Sequence, residues 1–219
     1  MIICVFIMAY IAFADNLTKS STKRILRHQK PVMYTFYDKI DSKDKHTGMT
    51  NDADQRLLKV WEEEWNAAGW DTRILNLEDA KKHPRFSEFH KKLEPIHLKT
   101  LNVVYNRLCY YRWLAMSSVG GGWMSDYDVL PMNFDATIDD PSKHFKDGSF
   151  SIYATTGDGG IPCLMSGSES EWDRMAFSIV EDGDKHEYEA FWSDMVSTFP
   201  TCAFGIVCAA ITFSILMHL

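Results

Sequence analysis

The chain has 219 residues and a formal net charge of −7, from 30 Asp and Glu against 23 Lys and Arg. This acidic balance excludes proteins that bind nucleic acid through bulk positive charge. Hydrophobic residues make up 46% of the sequence and charged residues 24%, which is typical of a folded domain and excludes a disordered chain.

Both ends of the chain are apolar. Residues 1–14 contain no charged side chain and end in Ala-Phe-Ala, the small-residue pattern that precedes a cleavage site. They predict a signal peptide or a short anchor, because a helix needs ~20 residues to span a bilayer. Residues 15–30 predict a polar stem. Residues 201–219 predict an apolar membrane tail, with a buried helix or the truncated end of a longer gene as alternatives.

The predicted domain covers residues 31–200, and it opens with a strand, a helix and a second strand. Residues 31–37 are rich in β-formers and predict a buried strand. Leu58, Trp61 and Trp65 recur at helical spacing, after an Asp52 or Asp54 cap and before a terminating Gly69. The next strand is predicted at 70–77 and a further helix from Glu78. This order predicts an α/β fold with a parallel layer of strands.

The middle of the chain contains histidines, cysteines and a long predicted helix. His83, His90 and His97 recur every seven residues on a Lys-rich segment, which favours solvent-facing side chains over a metal stripe. The helix covers residues 101–118, with one apolar stripe through Val104, Leu108, Tyr111 and Ala115 and a neighbouring stripe that contains Arg112. Arg112 is costly to bury there unless it meets an anion. Cys109 and Cys163 are interpreted as two buried thiols, with a bridge between them as the alternative.

Two carboxylates follow the next predicted strand. Three glycines at 120–122 end the long helix, a strand begins at Trp123, and Asp126 and Asp128 come at its carboxyl end. In extended backbone both side chains project to one side, roughly 7 Å apart at Cα. Such a pair predicts a Mn²⁺ or Mg²⁺ site, since these cations prefer oxygen ligands and complete their shell with water and substrate phosphates. Two solvated surface acids are the alternative.

At this point the sequence resembles a family. The RWL segment at 112–114 and the GGWMSDYDV segment at 121–129 are similar to the "R-Y-x-x-L…G-G-x-Y-x-D-x-D" signature of glycosyltransferases with a DXD sugar-binding region. Members include initiating mannosyltransferases and α-1,4-glycosyltransferases. Softer similarity extends the resemblance over residues 31–177.

The resemblance implies an A-type glycosyltransferase fold, which is an α/β fold with a Rossmann-like mixed sheet flanked by helices. It also implies transfer of a hexose from a UDP- or GDP-sugar, with retention, to a glycan or glycolipid acceptor in the Golgi. Asp128 would ligate Mn²⁺, Asp126 would assist the metal and contact the donor, and Arg112 and Tyr127 would bind the donor. Cys109 stands where members usually carry Asp, and Met124 where they carry Tyr. A catalytically inactive relative that binds sugar nucleotide or glycan is therefore the alternative.

The remaining polar segments carry weaker signals. Residues 157–162 and 166–168 predict flexible loops where an acceptor would enter. Ser168 does not lie in a G-x-S-x-G elbow, so a serine hydrolase is not supported. The acidic residues Glu169, Glu171 and Asp173 are acid/base candidates that spacing alone does not distinguish.

Overall fold

The computed structural model describes residues 30–45, 49–96, 103–132, 136, 148–156 and 159–185. Within these ranges the strands are β1 (Val32–Phe36), β2 (Asp71–Leu75), β3 (Gly121–Ser125), β4 (Ser151–Thr156) and β5 (Gly159–Ser168). The helices are α1 (Asn51–Ala67), α2 (Leu77–Lys81), α3 (Phe86–Leu93), α4 (Val103–Ser118) and α5 (Glu169–Lys185), with a 3₁₀ turn at Ser42–Asp44.

The predicted apolar ends, at 1–14 and 201–219, and the predicted stem at 15–29 lie outside the described residues. Among the helices that the structure describes, none combines the length and apolar character needed to cross a membrane.

The five strands form one open mixed sheet in the order β2-β1-β3-β5-β4. β1 is parallel to both β2 and β3, whereas β5 runs antiparallel to β3 and β4 runs antiparallel to β5. The prediction of parallel first and second strands in a mixed sheet flanked by helices is confirmed. Because β2 and β3 flank β1 on opposite sides, the chain reverses its direction across the sheet at β1.

Helix α1 forms as predicted, but its cap differs. Leu58, Trp61 and Trp65 are buried, and Gly69 ends the helical region with φ 89°. The expected cap at Asp52 or Asp54 is wrong, because the Thr50 hydroxyl accepts the Ala53 amide at 3.2 Å. Asp54 lies instead on the buried face of the helix.

Apolar side chains pack on both faces of the sheet. Aromatic rings dominate the α1 face, where Trp65 and Trp70 meet edge to face at 5.5 Å. The other face is larger and holds side chains of α2, α3, α4 and α5. Along the central strand the two faces alternate, with Trp123 in the first core and Met124 in the second.

Helix α4 lies inside the second core rather than presenting one apolar stripe. Its residues from Tyr110 to Ser117 are all buried, while Val104, expected in the stripe, is 44% exposed. The stripe prediction is therefore wrong for this helix. Since α4 packs against α2, α5 and β3, most of its circumference meets protein along its second half.

The predicted loops at 159–162 and 166–168 are also wrong, because both segments belong to β5. The glycine at 167 permits close packing in a strand, since a Cβ there would lie 2.8 Å from Phe150 Cδ2. Residues 157–158 lie outside the described residues.

Candidate functional site

A cavity of about 720 Å³ opens at the carboxyl ends of β1 and β3. In open α/β sheets, ligands bind in the crevice where the strand order reverses, which here lies between these two strands. Ionisable residues from α1, from α4 and from the segments after β1 and β3 line the cavity: Asp38, Lys45, Asp54, Arg56, Arg112, Asp126 and Asp128. Aromatic side chains accompany them: Phe36, Tyr37, Tyr105 and Tyr127.

Asp126 and Asp128 lie in a tight turn immediately after β3. The Val129 amide donates to the Asp126 carbonyl at 3.0 Å and so closes the turn. The prediction of extended backbone for this pair is therefore wrong. The Asp126 amide donates to the Cys163 carbonyl at 2.8 Å, which attaches the start of the turn to β5. The side chains in the turn do not alternate as they would in an extended strand, but both carboxylates still line the same cavity. Residues 126–129 are called the D-x-D turn below.

Two tryptophans of α1 hold the D-x-D turn in place. The Trp61 indole donates to the Ser125 hydroxyl at 2.9 Å, and the Trp65 indole donates to the Val129 carbonyl at 3.0 Å. Both rings are buried, so these hydrogen bonds form away from water, where leaving a polar group unpaired would be costly. The apolar periodicity of α1 thus also positions the two acids.

Arg112 reaches the D-x-D turn from α4. Its Nη1 donates to Asp126 Oδ1 at 2.7 Å, with the Arg112 side chain 10% exposed and the Asp126 side chain 36% exposed. The anion that sequence reasoning required beside a buried Arg112 is therefore supplied, at least in part, by Asp126. Cys109, three residues earlier on α4, lines the same cavity.

The residues present fit a cation that arrives with a phosphate ligand. Mg²⁺ and Mn²⁺ are commonly held by one or two carboxylates, with substrate phosphates and waters completing the shell. Asp126 and Asp128 supply that set beside an open cavity. The described residues do not form a metal site from protein ligands alone. Across the described part of the chain, no group of three or more His, Cys, Asp and Glu side chains could hold a metal ion.

Sequence reasoning missed a second cluster in the cavity, centred on Asp54. Asp54 is 1% exposed as a residue, and its carboxylate pairs with the Lys45 ammonium. The Tyr37 hydroxyl donates to Asp54 Oδ2 and the Tyr127 hydroxyl donates to Asp54 Oδ1, each at 3.4 Å. A signal was present, because Asp54 precedes Leu58 by four residues and therefore lies on the apolar face of the helix.

Burial raises the pKa values of two groups beside the acids. The pKa of Tyr127 is raised well above its usual value, first by burial and then by the negative charges of Asp54, Asp128 and Asp126. Its phenol therefore remains protonated and able to donate. Burial, with the charge of Asp126 as the next cause, raises the pKa of the Cys163 thiol to about 12. Cys109 and Cys163 are separate thiols, as the sequence predicts, but only Cys163 is buried, whereas Cys109 is half-buried.

The comparisons with known proteins identify a family. Residues 10–158 match the family described as a domain of unknown function (DUF8765). The chain belongs to this family. The matched segment includes Arg112, Asp126 and Asp128, and it ends before β5. No curated protein matches the chain.

A smaller cavity of about 460 Å³ lies where α5 begins, and it contains His83. The expected solvent-facing position of His83 is wrong, because this side chain is buried, with Nε2 3.2 Å from Asp173 Oδ1. Burial lowers the pKa of His83, and the charge of Arg85 lowers it further, against the opposing charges of Asp173 and Glu169. His90 is 44% exposed, and His97 lies outside the described residues.

The hydrogen bonds of His83 do not suit nucleophilic catalysis at Ser117. The Arg85 amide donates to Nδ1 at 3.2 Å, so the neutral ring carries its proton on Nε2. That nitrogen donates to the Ser117 hydroxyl at 3.3 Å and has no lone pair to accept the serine proton. Among the acid/base candidates of α5, Glu171 pairs with Arg174 at 2.7 Å, and Asp173 lies 3.2 Å from His83 and 3.4 Å from Arg85.

Proposed function

We propose that this protein is a metal-dependent glycosyltransferase that moves a hexose from a UDP- or GDP-sugar to a glycan or glycolipid acceptor. One observation carries the proposal. Asp126, Asp128 and Arg112, the residues of the glycosyltransferase-like signature, line one cavity at the point where the strand order of the sheet reverses. Retention of the donor's anomeric configuration and an A-type glycosyltransferase fold are parts of the proposal that rest on the resemblance.

The charges of the cavity explain why a cation belongs to the proposal. A diphosphate beside Asp126 and Asp128 experiences strong repulsion at reduced dielectric. A bound Mn²⁺ or Mg²⁺ would neutralise part of the diphosphate charge and stabilise the leaving group. Asp128 is exposed and available as a ligand, whereas Asp126 is oriented by Arg112. Arg112 would bind the donor from the α4 side, and Tyr127 would complete the donor site.

The aromatic lining suits the rest of the donor. Tyr105 and Tyr127 bring phenol rings to the cavity wall, and such rings pack well against a base or a sugar face while their hydroxyls stay polar. The cavity also lies within the range of volumes that hold small-molecule ligands.

A second candidate function is a catalytically inactive relative that binds sugar nucleotide or glycan. The observation that favours it is Cys109, which lines the cavity where the glycosyltransferases it resembles usually carry Asp. A thiol is a weak hydrogen-bonding group, so it would not hold sugar hydroxyls as a carboxylate does.

Binding and turnover separate the two candidates. We expect the thermal midpoint of the full chain to rise with Mn²⁺ plus UDP or GDP, and the matching sugar nucleotide to be hydrolysed slowly. Binding without hydrolysis across a panel of donors would favour the inactive relative. Absence of both would contradict the proposal and leave the D-x-D turn as surface acids.

Asp128→Asn tests the assignment of the site. Because the amide removes a charged oxygen ligand without changing side-chain size, we expect Mn²⁺-dependent nucleotide binding to be lost while the unfolding midpoint without ligand stays unchanged. Asp41→Asn is the matched control, since the Asp41 side chain is 74% exposed and does not line the cavity. Equal nucleotide affinity of Asp128→Asn and the unaltered chain in a calorimetric titration would count against the site.

A further inference from the structure

The buried carboxylate of Asp54 joins three separate segments around the cavity. Asp54 itself lies in the first turn of α1. Its three donors are Lys45, which follows the 3₁₀ turn, Tyr37, which follows β1, and Tyr127, which lies in the D-x-D turn. Asp54 therefore connects the end of β1 to the turn that follows β3.

The ion pair accounts for the burial of the Asp54 carboxylate, but it does not explain why two tyrosine hydroxyls also face that carboxylate. The side chains of Lys45 and Asp54 are 5% and 2% exposed, and a carboxylate so deeply buried needs a positive partner. The amino end of α1 also favours a negative charge in its first turn. Neither effect requires the two phenols, which come from the walls of the cavity.

Tyr127 gives the D-x-D turn a side-chain attachment at its centre. The ends of the turn are attached through backbone groups, at the Asp126 amide and the Val129 carbonyl. Between them, the Tyr127 hydroxyl reaches Asp54 Oδ1, and the Tyr127 ring meets the Tyr37 ring edge to face at 5.9 Å. Rotation of residue 127 would change the directions in which its two acidic neighbours point.

We infer that Asp54 is a positioning residue for the D-x-D turn: through the Tyr127 hydroxyl it fixes the directions in which Asp126 and Asp128 present their carboxylates to a divalent cation. The inference rests on the proposed function for its cation, but not for the attachment itself. Asp54 is not assigned as a ligand, because Lys45 and the two phenols occupy its oxygens. Partners that orient metal ligands commonly change metal affinity tenfold or more when they are removed.

Tyr127→Phe is the test, and Tyr37→Phe is its matched control. Each variant removes one hydroxyl that faces the same carboxylate at 3.4 Å, and each leaves the Lys45–Asp54 pair intact. Tyr37→Phe releases the end of β1, whereas Tyr127→Phe releases the D-x-D turn. Asp54→Asn is less suitable, because it leaves Lys45 buried without its negative partner and so threatens the fold itself.

The first measurement needs no ligand. Hydrogen exchange of single amides is measured by NMR. The Val129 amide reports on the turn, because it donates a hydrogen bond within the turn. The Asp126 amide is the internal reference, because it donates to β5. We expect Tyr127→Phe to speed exchange at Val129 by about tenfold relative to Asp126, and Tyr37→Phe to leave that ratio unchanged.

The second measurement is the affinity for Mn²⁺ in the presence of UDP or GDP. We expect Tyr127→Phe to weaken it by about tenfold, with Tyr37→Phe within about twofold of the unaltered chain and similar thermal midpoints for both variants. Unchanged exchange at Val129 in Tyr127→Phe would overturn the inference, and so would equal losses of Mn²⁺ affinity in the two variants. If the unaltered chain binds no Mn²⁺ with either nucleotide, the proposed function fails, while the exchange ratio still decides whether Asp54 holds the turn.

Discussion

At the scale of single residues, Arg112 and Asp126 form a partly buried ion pair at the edge of the cavity. Such a pair has two effects, because it orients the carboxylate and it offsets the desolvation of both charges. Removing either side chain would leave the other charge in an environment of reduced dielectric without this partner. The contact distance of 2.7 Å is typical of a strong charge-assisted hydrogen bond.

A double-mutant cycle measures this pair. We expect Arg112→Met to lower the free energy of unfolding by about 1–2 kcal/mol, less than for a fully buried pair because Asp126 is partly solvated. Combined with Asp126→Asn, the two substitutions should be non-additive by about 1 kcal/mol in urea unfolding. Additive effects would show that the pair contributes orientation without measurable stability.

His83 gives the fold a predictable pH dependence. Its folded pKa lies below the value of about 6.5 that it has in an unfolded chain, chiefly because it is buried. Below about pH 6.5 the unfolded state therefore binds more protons than the folded state, and stability falls as the pH decreases through the window between the two pKa values. The groups that face the ring are Asp173, Arg85, Glu169 and Ser117.

His83→Gln isolates this contribution. Since glutamine does not titrate, we expect the free energy of unfolding to fall less between pH 7 and pH 5 in His83→Gln than in the unaltered chain. Urea unfolding at a series of pH values measures both curves, and effects of the other titrating groups cancel in the difference. Parallel curves would mean that His83 has the same pKa in both states.

At the scale of secondary-structure elements, the glycine that opens β3 allows α5 to begin directly against the sheet. Gly121 has φ 76°, and a Cβ added there would lie 2.5 Å from the Glu169 amide nitrogen and 2.6 Å from the Ser168 carbonyl carbon. The backbone of β5 and α5 therefore occupies the space of a side chain. Gly120, one residue earlier, has φ 92° and nothing within 4 Å of such a Cβ.

This contrast predicts different effects of two alanine substitutions. Gly120→Ala introduces backbone strain alone, about 1–2 kcal/mol, whereas Gly121→Ala adds a clash with backbone atoms and should destabilise the fold by roughly 2–5 kcal/mol. Thermal and urea unfolding of the two variants, compared with the unaltered chain, give the difference. Similar losses would show that α5 moves away from β3 without cost.

Local patterns predicted most elements of the first half of the fold. The β-formers at 31–37 and the Trp61 and Trp65 periodicity depend on residues a few positions apart, so they appear directly in the sequence. Local patterns do not predict β5 in the second half, because β5 is rich in Gly and Ser and becomes a strand only through pairing with β3 and β4. The sequence predicts helix α4 but not its burial, because that burial depends on which elements pack around it.

At the scale of the whole molecule, the order of the strands decides where the cavity lies. β1 and β3 are parallel neighbours with carboxyl ends at the same edge, and α1 and α4 approach that edge from the two faces of the sheet. Segments far apart in the sequence thus meet there. Trp61 and Ser125, which share a hydrogen bond, are 64 residues apart.

The sequence by itself determined the opening strand, helix and strand, the position of Asp126 and Asp128 after an apolar strand, and the need of Arg112 for an anion. These features follow from spacing and from the chemistry of single side chains. Only the tertiary structure decided that Asp126 meets Arg112 and that the two acids lie in a turn. It also decided that Asp54 is buried with Lys45 and that His83 is enclosed. Each of these depends on contacts between distant segments, and their free energy is set by packing that no local pattern encodes.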